Sequence, residues 1–91
     1  MTNISIVGYE PECHCDHCGR ALQHGVRTSS LGTVGADCFN KMIKSDRKRF
    51  GGNGKPGASY IRTLAKMRER DSDKKLNRMG YAPRRFEFDL A

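Results

Sequence analysis

Ninety-one residues, 36% hydrophobic and without tryptophan, make a single domain over 1–91 whose apolar core is marginal by itself, so a structural metal or a pair of disulfides is expected to supply the missing stability. The net charge of +7 is uneven: residues 1–40 carry two cations and four anions, net −2, and residues 41–91 carry fifteen and six, net +9. No stretch approaches the ~20 apolar residues of a membrane span, and the opening Met1-Thr2-Asn3-Ile4-Ser5 lacks the basic and apolar segments of a secretory signal, so a reducing cytoplasm with reduced thiols is expected.

Ile4, Ile6, Val7 and Tyr9 read as a short strand ended by Glu10-Pro11. A cysteine turn occupies 13–19. Ala21-Leu22 and Val26 to Leu31 then read as two short strands or one ragged hairpin, with bends at Gly25 and Gly32. Asp37 or Gly35 can cap a helix in which Phe39, Met42 and Ile43 recur at helical spacing, running to Phe50 with Lys41, Lys44, Arg47 and Lys48 outward. Gly51 to Gly57 holds four glycines and a proline and reads as a flexible loop. It is no phosphate loop, because Arg49 stands where a glycine is required and Pro56 follows Lys55.

A second helix is expected from about Ser59, its cap, with Tyr60, Ile61, Leu64 and Met67 as the apolar stripe. Asp71-Ser72-Asp73 interrupts it or caps a short third helix holding Leu76 and Met79, stopped by Gly80. Beyond Pro83, residues 84–90 alternate charged and apolar, the pattern of a half-buried strand able to pair with the N-terminal one.

The cysteines carry the chemistry. Cys15-Asp16-His17-Cys18-Gly19 is a compact turn that lets two sulfurs face one tetrahedral zinc ion, and Cys38 follows at a helix start, where the helix dipole favours a thiolate. A closed structural site needs a fourth ligand. Cys13 is the first choice, as a Cys-x-Cys pair can span one metal; His24 is the main alternative, with His14 and His17 behind it. Asp37 is a candidate hydrogen-bond acceptor beside the ligands. The set implies one structural Zn2+ per chain, without the open position that catalysis needs. A thioredoxin-type redox pair expects a strand–helix setting, which is not evident here.

Cys15-Asp16-His17-Cys18-Gly19-Arg20, then Thr28, then Val34-Gly35-Ala36-Asp37-Cys38 resembles the CxHC…VGxxC segment of phage-type small zinc fingers, themselves similar to treble-clef modules. The resemblance covers 13 to about 43. It implies a cysteine turn, a hairpin and a helix whose first turn supplies a ligand, but that module usually takes a second ligand three residues later, where this chain has Lys41. The fold class expected is thus α+β: a small zinc-stabilised domain with a treble-clef-like turn and hairpin (13–43), then two or three basic helices and a C-terminal strand (44–91).

The charge asymmetry favours an anionic partner, nucleic acid first. Arg62, Lys66 and Arg70 recur every four residues and can track a phosphate backbone, with Lys44, Arg47, Lys48, Arg84 and Arg85 as further contacts. Tyr60, Phe86 and Phe88 are expected in the core, which leaves few rings for base stacking. Ordinary surface pairing of Lys66 with Glu69, or of Asp71 with Lys74 and Lys75, is the competing use of these charges. The alternative partner is an acidic surface of a host protein, inhibited or adapted by the same cations. All three histidines lie within residues 14–24, which leaves no general base elsewhere, so neither an enzyme nor a small-molecule substrate is expected.

Overall fold

Ile4 and Ile6 alternate with more exposed neighbours, and this period-two pattern opens a long strand, β1 (Asn3–His14), in the computed structural model, which describes residues 3–91. Met1 and Thr2, the start of the expected 1–91 domain, lie outside the described residues. The strand does not stop at Glu10-Pro11 as expected. Among the described residues only Asn3 to Ser5 pair on its far side, so at Pro11 one edge has no strand partner among them and a missing N–H is tolerated. A register shift between Ile6 and Gly8 marks a bulge, and there Glu69 accepts the N–H of Tyr9 at 3.2 Å while pairing with Arg27 rather than with Lys66.

The ragged hairpin expected after the cysteines is one strand, β2 (Ala21–Thr28), antiparallel to β1 and running straight through Gly25. A turn past Gly32 leads to β3 (Thr33–Gly35), and the sheet order is β3-β2-β1 with the C-terminal strand β4 (Glu87–Asp89) on the other side. Ile4 faces Phe88 in that last pairing, so the two ends of the chain do share a sheet as the alternation predicted. The strand is shorter than 84–90, because Pro83–Phe86 forms a 3-10 turn that delivers Phe86 to the core first.

Helix α1 (Ala36–Met42) is also shorter than its periodicity suggests, and Gly35, not Asp37, is its N-cap. Ile43 turns extended and bridges Leu90, while Lys44 donates its N–H to Asp89 O at 2.7 Å. The C-terminal segment thus takes over the backbone groups that a longer helix would have used. A single new turn, α2 (Arg47–Phe50), starts under the cap of Asp46, whose carboxylate accepts from Arg49 N–H at 3.1 Å.

The glycine loop is tied down rather than loose. Asp46 N–H reaches Gly54 O at 2.8 Å, Ser45 Oγ reaches Asn53 O at 2.8 Å, Gly57 N–H reaches Asn40 Oδ1 at 3.0 Å, and Lys55 Nζ bonds Ile43 O. Gly54 adopts φ +85, and a Cβ there would lie 2.8 Å from Asp46 N, so only glycine fits. The chain turns again at Gly57, which displaces Ser59 as the cap of α3 (Ala58–Arg70). That helix buries Ile61, Leu64, Ala65 and Met67; Tyr60 stays half-buried at the margin. Ser72 caps α4 (Asp73–Arg78), which buries Leu76 and ends one residue before Met79, expected within it; Met79 is its exposed C-cap.

Helices and sheet share one cluster: Ile4, Ile6, Val26, Val34 and Phe88 from the strands meet Phe39, Ile61 and Leu64 from the helices. The result is a small α+β domain. At its edge, Asp71 is buried, with Lys75 Nζ at 3.2 Å and Arg70 at 3.4 Å, and these cations hold its carboxyl below the usual range although burial opposes them. A depressed folded pKa stabilises the fold above the unfolded value of about 4 and ceases to do so as pH falls through the folded one. Asp71→Asn is therefore expected to unfold at lower urea than the natural chain at pH 7, with the gap closing as the pH is taken below about 4. A gap that is unchanged on acidification would assign the effect to packing alone.

Candidate metal centre

The hairpin between β1 and β2 closes on the cysteine turn. Cys15 N–H donates to Arg20 O at 2.8 Å and Gly19 N–H to Cys15 O at 2.7 Å, a closed loop that turns Cys15 and Cys18 toward the same side. Asp16 straps this turn to β3: its N–H donates to Thr33 O at 2.7 Å, and its carboxylate accepts from Thr33 N–H at 2.8 Å. That strap brings the start of α1, and with it Cys38, beside the turn. The Sγ atoms of Cys15, Cys18 and Cys38 all lie within 4.8 Å of one another.

The spacing and chemistry fit a thiophilic cation. A tetrahedron with metal–sulfur bonds of ~2.3 Å has edges of about 3.8 Å, and Cys18 Sγ and Cys38 Sγ are 3.8 Å apart. All four cysteines are free in this structure. Burial pushes the Cys15 thiol up, but N–H groups of Gly35, Cys18 and His17 and the Cys18 thiol outweigh it and bring it to about 7. The Gly35 contact is 3.4 Å. Cys38 is pushed up to about 11, first by burial and then by its two sulfur neighbours. Three sulfurs at this spacing do not all ionise in each other's presence, and a cation removes that repulsion.

Cys13 stands apart from the trio. Glu12 adopts φ 51 and breaks the strand's alternation, so Cys13 Sγ donates to Glu10 O at 3.4 Å and rests over Gly25, where a Cβ would come within 2.3 Å of it. Burial, Glu10, Asp16 and Cys15 all raise its pKa, which places it in the field of the trio without joining it. The alternative ligand His24 is on β2, its Nδ1 2.5 Å from Tyr9 Oη. His14 and His17 are exposed, and among the described residues no histidine nitrogen joins the three sulfurs. Asp37 is exposed too, and the hydrogen-bonding carboxylate beside the ligands is that of Asp16. Asp16 is the residue that spacing missed, since its partner Thr33 is brought near only by the β2–β3 turn.

The expected phosphate-contacting cations divide into two groups. On α3, Arg62 bonds Ser59 Oγ at 3.4 Å, Lys66 lies 5.5 Å over the Tyr9 ring and Arg70 pairs with Asp71, so that row is partly engaged. Among the described residues, Lys44, Arg47, Lys48 and Arg84 make no side-chain hydrogen bond or ion pair, and Arg85 only overlies Tyr81 at 5.3 Å. Arg49, which the sequence merely places in a basic run, is structural. Its guanidinium donates to the carbonyls of Arg84, Arg85 and Glu87 at 3.0, 3.0 and 2.6 Å, and lies 4.9 and 4.7 Å from the ring centroids of the stacked Phe50 and Phe88. Among the described residues no helix is long and apolar enough to cross a membrane. No protein-family model, curated protein or solved structure matches the chain.

Proposed function

We propose that this chain is a small zinc-binding regulatory protein of the phage-type zinc-finger kind, which binds nucleic acid through its phosphates. The zinc is structural, held by Cys15, Cys18 and Cys38, with Cys13 swinging off Gly25 to complete four thiolates. A turn at a hairpin tip followed by a thiol at a helix start is the treble-clef order of elements. Zinc would supply a cross-link between β1, β2 and α1, and no catalysis.

One observation carries the nucleic-acid reading: Lys44, Arg47, Lys48, Arg84 and Arg85 are exposed without ion-pair partners among the described residues, in the half of the chain with net charge +9. Unpaired cations keep their full attraction for phosphate, whereas the α3 row has already spent part of its own on protein partners. Fluorescence anisotropy on generic DNA is expected to show binding that weakens steeply from ~50 to ~200 mM salt, with the slope reduced by about two in Arg47→Ala/Lys48→Ala. Absence of binding at the lower salt removes this reading.

A further inference from the structure

Three adjoining hollows share Arg49 and Asp89 and form one open groove between α2, the start of α3 and the C-terminal segment. The largest holds about 770 Å³ and the next about 260 Å³. One side of the larger hollow carries Phe50, Pro56 and Tyr60, and Arg84 and Arg85 also line it. Lys44 lines the adjoining hollow. Tyr60 is only half-buried at the margin of the core, contrary to what the sequence suggests, while half-buried Phe50 already stacks on Phe88.

A duplex offers the groove only phosphates. A single strand offers phosphates and the faces of unpaired bases, and aromatic side chains stack on any base. Three carboxylates also line the groove, those of Asp46, Glu87 and Asp89. Asp46 is occupied as the α2 cap, and Glu87 and Asp89 are exposed, so an unbroken run of phosphates there is disfavoured. A base placed there would meet those carboxylates with its N–H groups instead.

We propose that this groove seats single-stranded nucleic acid, with a base stacked on Tyr60 and flanking phosphates on Arg84, Arg85 and Lys44. The proposal rests on the nucleic-acid reading above and narrows it to one strand and one place.

The test uses the full zinc-loaded chain and a labelled mixed-sequence DNA of roughly 12 nucleotides, within the span one such site covers, single-stranded or closed as a hairpin duplex. The single strand is expected to bind about tenfold tighter than the duplex, as one stacked base accounts for. Tyr60→Leu is expected to lose about that tenfold for the single strand alone, Tyr60→Phe to retain it, and Arg84→Glu to weaken both. Should Tyr60→Leu fail to fold, tyrosine emission in the natural chain decides, since there is no tryptophan to mask it. Unlabelled single strand quenches it if a base stacks. Equal affinity for both forms, with Tyr60→Leu silent or emission unquenched, overturns the groove and leaves phosphate binding standing; binding to neither form overturns both.

Discussion

Treated with a strong chelator to remove the proposed zinc, the protein is expected to lose most of its cooperative fold. A domain of this size is stable by about 5–14 kcal/mol in total, while a structural zinc in a small finger contributes on the order of 10 kcal/mol or more at neutral pH. Removing it leaves Cys15, 2% exposed, with two other sulfurs crowding it and no cation among them. It also leaves the hairpin tip joined to the start of α1 only through the Asp16–Thr33 bonds and the Gly35 N–H on Cys15 Sγ. Cys15→Ser is expected to behave like the chelated protein. Circular dichroism melts with and without chelator provide the check, and an unchanged melting temperature removes zinc from the account. Zinc content by mass spectrometry is expected to be one per chain, kept in His24→Ala and weakened in Cys13→Ser; the reverse pattern would move the fourth ligand to β2.

Arg49→Ala is expected to be the most damaging change at a charged position. The guanidinium holds three carbonyls of the C-terminal segment and packs beside two rings that themselves stack 6.0 Å apart. Charge-assisted bonds contribute about 1.5–3 kcal/mol each, and cation–π contacts somewhat less. Solvent reaches this site and the bonds act as one unit, so a combined loss of about 2–4 kcal/mol is expected rather than the sum. Arg49→Lys keeps the charge but cannot span three acceptors with a planar fork, so it is expected to recover less than half. Urea titration measures both. A loss under ~0.5 kcal/mol, within the range of an ordinary surface substitution, would mean the C-terminal strand is held by its sheet pairing alone.

The clamp also bears on how nucleic acid would be met. Arg49 is fixed against Phe88, so its charge adds to the field of the groove while the reaching contacts fall to Arg84, Arg85 and Lys44. A variant at Arg49 would therefore lose binding through the displaced C-terminal segment, and the loss should track its stability.

Local pattern alone determined a good part of this protein. The burial of Ile4 and Ile6 on alternate positions, and of Phe88 between charged Glu87 and Asp89, marked two strands and their pairing, because burying one face of a sheet imposes period two. The spacing of Ile61, Leu64 and Met67 marked α3 for the matching helical reason, and the Cys-x-x-Cys turn marked the metal-compatible corner. Only the tertiary structure decided that α1 ends at Met42, since the competitor for its backbone groups is the chain's own C-terminus, far away in sequence. It likewise decided that Cys13 is held over Gly25 by the turned backbone of Glu12, and that Arg49 is a clamp while the side chains of its neighbours Arg47 and Lys48 bond no side chain or carbonyl among the described residues. Periodicity reports which face of an element is covered. Which distant group covers it, and which charge is thereby used up, depends on packing that no local pattern records.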